Sequence, residues 1–292
     1  MTRRTWAADG LLLLTTLIWG VAFAVVKDTL QRIPPGLIVC IRHFISACIT
    51  AVLFRRHLKG LRASDVRRGA LVGFLLVMAY LVQTEGLALT TAGKNAFLTT
   101  TYVLFVPIAL RLFFGRRLGR RVMPAALLML CGIALLSLGG EQGGLNRGDA
   151  LTLVCGVFFA AHIIAVERCQ KETNVYALIV LQFAFCSLTA LMWTLAFERN
   201  LPVRPDRGAV LGIGYLAVFS TTIGMSLQNL GQSMAPGEHA ALILSTESVF
   251  GALAGVLFLG ERVTPVMGAG FAVIFLALVL CETEKSGTGQ NP

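Results

Sequence analysis

Apolar residues run along this chain in long unbroken stretches, not in the alternation of a half-buried strand. A helix needs about 20 mostly apolar residues to cross a hydrocarbon core of roughly 30 Å at 1.5 Å per residue. Ten stretches qualify: Asp9 to Lys27, Pro35 to Phe54, Ala70 to Thr91, Asn95 to Phe114, Val122 to Gly139, Asp149 to Glu167, Val175 to Phe197, Ala209 to Ser233, Pro236 to Leu259 and Pro265 to Cys281. The joining segments are short and rich in Gly, Pro and charge, the longest being Arg55 to Gly69, which leaves no room for a separate soluble domain. The expectation is an all-α membrane protein of ten transmembrane helices. Arg3 and Arg4, an apolar run and Ala22-Phe23-Ala24 also match the outline of a cleavable secretory signal. The repeat described below needs that first helix and argues against cleavage.

Composition narrows the solvent. Of 292 residues, 56% are hydrophobic and 14% charged, against roughly 25% charged in an average soluble domain. Disorder requires the opposite balance, and a transmembrane β-barrel would alternate apolar and polar positions. A net charge of +10 raises the question of nucleic acid, which the placement of the charges answers. With the N-terminus in the cytoplasm, that side takes sixteen cations: Arg3, Arg4, six from Arg55 to Arg68, Arg111, Arg116, Arg117, Arg120, Arg121, Arg168, Lys171 and Lys285. The other side takes eight, Lys27, Arg32, Lys94, Arg147, Arg199, Arg204, Arg207 and Arg262, and Arg42 lies within a span. The positive-inside rule then puts both termini in the cytoplasm. The charge is a topology signal with some attraction to anionic lipid, and no nucleic-acid partner is expected. The seven cysteines form no C-x-x-C pair and no cluster with histidine, so neither a disulfide framework nor a metal site is indicated, and no cofactor is expected.

The chain repeats. A shift of 145 residues aligns Thr91 to Arg117 with Pro236 to Arg262 without a gap, matching Ala96 to Ala241, Thr101 to Thr246, Phe105 to Phe250 and Gly115 to Gly260. A shift of 136 places Gly20 on Gly156. Each aligned segment is the fourth helix of five, so residues 1–140 and 141–283 form two five-helix repeats, with 284–292 a short cytoplasmic tail. Five is odd, so the second repeat enters the membrane from the opposite side. Inverted-topology repeats are characteristic of secondary transporters, whose substrate site lies near the midplane between the halves.

Several segments carry a family resemblance: Trp19-Gly20 with Phe23, Arg42 in the second helix, Thr91-Ala92-Gly93-Lys94-Asn95-Ala96-Phe97-Leu98, and Ala240-Ala241-Leu242-Ile243-Leu244-Ser245-Thr246-Glu247 running to Gly260-Glu261-Arg262. Together they resemble the drug/metabolite transporter superfamily, in its ten-helix EamA-type branch, over nearly the whole chain. Two positions depart from the pattern. Gly115-Arg116-Arg117 stands where the family often has Gly-Glu-Arg, and Ser248 follows Glu247 where proline is common. The resemblance implies a proton- or gradient-coupled carrier, usually an exporter of amino acids, metabolites or drugs, in a bacterial inner membrane.

An ionisable side chain at the bilayer centre costs about 2.5 to 3.5 kcal/mol, so each needs a reason. Glu247, halfway along the ninth span between Thr246 and Ser248, fits a site for a substrate ammonium or a coupling proton; it also fits a structural carboxylate between helices. Arg42 fits capture of an anionic group, a conformation-dependent pair with Glu247 or Glu85, or an arginine that snorkels to the outer interface. Tyr80 and Gln83 share a helix face and, with Glu85, offer one cavity wall or interhelical glue. Asn95, Thr99 and Tyr102 offer a complementary face. Tyr102 aligns with Glu247 under the 145-residue shift, so these two should face one another across the pseudo-axis. Gln228 and Gln232 form an amide face on the eighth helix. Trp19 fits an aromatic wall or helix packing, and His162 a proton shuttle or a hydrogen-bonded spacer. Gly251 and Gly255 allow close helix approach, and Pro107 interrupts the fourth helix where bending would gate a cavity.

Rival classes lack their residues. H-E-x-x-H is absent, since Glu238-His239 has the order and spacing wrong, and the five aspartates lie at span ends or in loops. Gly224-Met225-Ser226-Leu227 lacks the second glycine of a serine protease motif, and Gly93-Lys94 has Ala88 and Asn95 where a phosphate loop needs Gly and Ser or Thr. No enzyme and no ATP drive is expected. The reading is a secondary transporter of small metabolites such as amino acids or drug-like amines, working by alternating access, with a membrane channel or a scaffold as the rival.

Overall fold

A computed structural model of the chain describes residues 3–116, 120–138 and 145–282. The expected tail 284–292 with Lys285, Arg117 and the boundary between the halves at 140–141 lie outside the described residues, as do the side chains of Arg3, Arg4 and Cys281. The described residues are helical, with no strand among them. In chain order the helices are α1 (Arg3–Thr29), α2 (Pro35–Leu53), α3 (Ala63–Leu89), α4 (Ala92–Thr99), α5 (Tyr102–Phe114), α6 (Val122–Leu138), α7 (Arg147–Cys169), α8 (Val175–Trp193), α9 (Arg207–Tyr215), α10 (Ser226–Gln232), α11 (Gly237–Ser245), α12 (Glu247–Leu259) and α13 (Pro265–Glu282).

Eight helical spans are long and apolar enough to cross a membrane, from Trp6–Thr29 to Gly237–Leu259. The protein is a multi-pass membrane protein. Of the ten expected spans, the fifth and tenth correspond to α6 and α13, whose apolar stretches Pro124–Leu135 and Pro265–Ala277 are shorter. These two pack on each other, and Ile274 sits so close to Gly132 that a β-carbon there would clash. Large apolar side chains such as Phe113 at 76% and Phe258 at 67% exposure line the exterior. That is the surface a helix presents to lipid, where its own backbone bonds are already satisfied.

The fourth and ninth spans are each broken in two. Hydroxyls cause both breaks. Thr100 and Thr101 donate back to the carbonyls of Phe97 and Leu98, and Ser245 and Thr246 to those of Leu242 and Ile243. The backbone tightens in step, with Thr101 N donating to Leu98 O and Thr246 N to Ile243 O, three residues back. Hydroxyl back-bonding of this kind bends helices. The interruption expected at Pro107 therefore lies earlier, at the start of α5, and Pro107 sits inside α5. It can donate no bond to the carbonyl four residues back, which weakens the first turn after the break.

Beyond the breaks, α5 and α12 end alike. Gly115 and Gly260 both hold φ of +66°, in the left-handed region that favours glycine. Arg116 N then reaches Leu110 O, and Glu261 N reaches Gly255 O, the same closing bond at the same 145-residue offset. This accounts for the glycine in both copies of the motif.

Carboxylates from distant parts of the chain cap three helix starts. Glu198 accepts from the backbone of Gly36 at 2.8 Å and Leu37 at 3.1 Å; Glu261 accepts from Ala92 and, at 3.0 Å, from Gly93; Glu167 accepts from Gly237 at 3.2 Å. Helix N-termini carry unpaired N–H groups and a partial positive charge, which a carboxylate satisfies together. Asp206 does the same locally for α9, taking the N–H of Ala209 at 2.7 Å beside Arg32, and both hold its carboxyl below the usual range. The expected single helix over Ala209 to Ser233 is α9 and α10 joined by a π-helical stretch, Leu216–Met225.

Candidate functional site

A cavity partly continuous with the outside lies where α1, α2, α3, α5, α7, the π-helical stretch, α10, α11 and α12 meet. Its walls are mixed. Trp19, Phe23, Phe159 and Leu244 supply apolar surface, and Arg42, Tyr80, Gln83, Tyr102, Ser220, Gln228 and Glu247 supply polar groups. A mostly apolar lining with a few fixed polar groups is the usual make-up of a small-molecule site.

The two helix breaks supply its centre. Tyr102 is the first residue of α5 and Glu247 the first of α12, both 3% exposed. The Tyr102 hydroxyl donates to Glu247 Oε1 at 3.1 Å. The Tyr80 hydroxyl likewise meets Met225 Sδ at 3.6 Å, a second contact between residues 145 apart. Around them Tyr80 stacks edge-on against Phe159, with ring centroids 5.5 Å apart.

Arg42 is 2% exposed, so it does not snorkel to an interface. Its Nε donates to Thr221 Oγ1 at 2.7 Å and its Nη2 to Ser220 Oγ at 2.8 Å, and its guanidinium carbon lies 4.6 Å from the Tyr80 ring centroid. Neither Glu247 nor Glu85 pairs with it. The π-helical stretch makes this possible. Its carbonyls also receive side chains from other helices: Ser220 O accepts from Trp19 Nε1 at 3.0 Å, Ala217 O from Ser46 at 2.8 Å and Gly224 O from Thr15 at 3.3 Å. Ser220 and Thr221 were not among the sequence candidates, since nothing in a Ser-Thr-Thr run announces a wider helical turn.

Of the sequence candidates, Trp19, Arg42, Tyr80, Gln83, Tyr102, Gln228 and Glu247 line the cavity. Asn95 and Thr99 do not. Asn95 donates to Thr152 at 2.7 Å and to the Gln83 carbonyl, and Thr99 accepts from Gln83 at 3.1 Å, so they tie α4 to α3 and α7. His162 is buried against Gln182 at 3.1 Å, Gln232 donates to Ile163 O, and Glu85 and Pro107 stand off the cavity. Gly251 and Gly255 of α12 press on Ala96 and Gly93 of α4, which brings the two broken spans together.

Comparison with known proteins agrees on the family. The chain matches the EamA-like transporter family over residues 6–138 and again over 146–282. It is 36% identical over 277 residues to an uncharacterized transporter of Archaeoglobus fulgidus, covering 94% of this chain and 85% of that protein. It is 25% identical to a probable amino-acid metabolite efflux pump of Salmonella typhimurium, over 93% and 94% of the two chains. A solved crystal structure shares the fold at a TM-score of 0.72 and 15% identity, covering 97% of this chain and 99% of the other.

Proposed function

The chain belongs to the EamA-like transporter family, and we propose that it is a secondary active exporter of small metabolites working by alternating access. Two inverted five-helix halves share the cavity, and both termini lie on the cytoplasmic side of a bacterial inner membrane. The observation that carries this reading is the Tyr102–Glu247 hydrogen bond, formed where both broken spans meet. A residue that touches its own repeat mate lies on the axis relating the repeats, and Tyr80–Met225 supports the same axis. Discontinuous helices at matching places in two halves are the usual sign of a transport site.

Glu247 supplies the chemistry. Ionised, it accepts from Tyr102 and attracts a cationic group; protonated, it releases that group. A proton and a solute cation compete for one carboxylate, which is how a gradient of one drives the other.

Counterflow in proteoliposomes tests the reading. A carrier exchanges labelled for unlabelled solute across a panel of amino acids, amines and other metabolites, and a channel or scaffold does not. Glu247→Gln should abolish gradient-driven transport in a folded protein; normal transport by that variant would make Glu247 a structural carboxylate.

A further inference from the structure

We propose that Arg42 is the seat of a carboxylate on the transported solute, so that the cavity accepts solutes bearing both a carboxylate and an N–H group and rejects simple amines. This rests on the transport reading above and narrows its substrate class.

Arg42 is a buried cation without a counter-charge. Its partners are the hydroxyls of Thr221 and Ser220 and the side chain of Tyr80, by ring and hydroxyl, and among the described residues no carboxylate comes within ion-pair distance. Hydroxyl dipoles orient a guanidinium but do not neutralise it, and an unpaired buried charge is costly. Elsewhere in this protein a buried cation has its carboxylate: Lys94 meets Asp149 at 3.2 Å, with both side chains 6% exposed or less. The departure at Arg42 falls on the cavity wall. Thr221 and Ser220 occupy Nε and one hydrogen of Nη2, which leaves Nη1 and the outer edge of the fork for a planar anion. That edge suits the two oxygens of a carboxylate.

The other walls require the opposite chemistry. Gln228 lines the same cavity at 2% exposure, and its amide oxygen has no hydrogen-bond partner. It accepts an N–H, as does Glu247. A solute carrying positive charge alone would bring a like charge towards an unbalanced guanidinium in a poorly screened site. A solute with a carboxylate completes Arg42 and offers its nitrogen to Gln228 and Glu247, while Trp19, Phe23 and Phe159 receive an apolar body.

The full-length chain in proteoliposomes tests this with labelled amino acids, their methyl esters and the matching primary amines. In the unmodified protein, the best-exchanged amino acid should be competed by its own methyl ester at least about tenfold less well than by itself, because a site built for a polar group rejects the analogue lacking it. Arg42→Gln should raise the half-saturation concentration by a similar factor, and Arg42→Lys should lie between. Equal competition by ester and acid, or a half-saturation within about twofold in Arg42→Gln, overturns the proposal. Exchange of amines but of no amino acid also overturns it and leaves the transport reading standing. Exchange of nothing in the panel overturns the transport reading itself. The ester comparison needs no variant, so it decides even if Arg42→Gln fails to fold.

Discussion

The two broken spans begin at opposite ends of the bundle and are fastened there very differently. The start of α4 lies near the C-terminal end of α1, where Lys27 donates to the carbonyls of Leu87 and Thr90, each at 2.8 Å. The start of α11 lies near the N-terminal end of α1, at Asp9, roughly 27 Å away along the helix. At the first end Lys94 pairs with Asp149 in a dry setting, and Asp149 also takes the Thr90 hydroxyl at 2.6 Å. At the second, His239 meets Asp9 at 2.7 Å with their side chains 23% and 14% exposed. Glu261 and the Thr91 hydroxyl cap α4, whereas Glu167 caps α11 while lying 3.9 Å from Arg116. The first end is held by permanent charge out of water, the second by a wetter pair whose charge depends on a proton. In the proposed orientation these are the outer and cytoplasmic faces, so releasing the two ends costs unequal amounts.

The contrast can be broken most directly at the carboxylates. Asp149→Asn strands Lys94 as a buried unpaired cation and should lower stability by about 3–5 kcal/mol, whereas Asp9→Asn should cost under about 1 kcal/mol. Thermal unfolding in detergent compares the two, and similar losses would erase the difference between the ends. Next come the caps. Glu261→Gln should cost about 1–2 kcal/mol, through two N–H groups at once, and Glu167→Gln about half that. The smallest effect sharpens the comparison. His239→Ala removes the ring that meets Asp9 at 2.7 Å, where both side chains are partly exposed. Stability should fall by no more than about 1 kcal/mol, the range of a partly exposed pair. Glu238, Glu167 and Arg116 lie around this end. His239→Lys should restore most of that loss, and a loss in His239→Ala as large as that of Asp149→Asn would erase the difference between the ends.

Much of this was legible in the residues. Runs of apolar sequence located the helices, the glycine-plus-basic punctuation located the ends of α5 and α12, and the 145-residue alignment paired Tyr102 with Glu247. What stayed hidden depends on groups far apart in sequence. Glu261 caps a helix 168 residues earlier, and that distance explains why Arg116 can occupy the aligned position: α11 takes its cap from Glu167 of α7 instead. The breaks come from hydroxyls bonding to their own turn, a competition that hydropathy does not register. The readings of Arg42 stayed open because its partners lie in a π-helical stretch with no local sequence mark.

The Tyr102–Glu247 bond also bears on how such a chain can arise. Two identical copies of one repeat, assembled about a two-fold axis, bring each axial residue against itself. Glutamate would face glutamate, two like charges in hydrocarbon, and tyrosine would face tyrosine, with no acid to exchange a proton. When the two copies differ in sequence, as in the repeats proposed for this chain, a phenol can stand opposite a carboxylate on that axis. Divergence of the proposed copies is thus what permits a single acid at the centre.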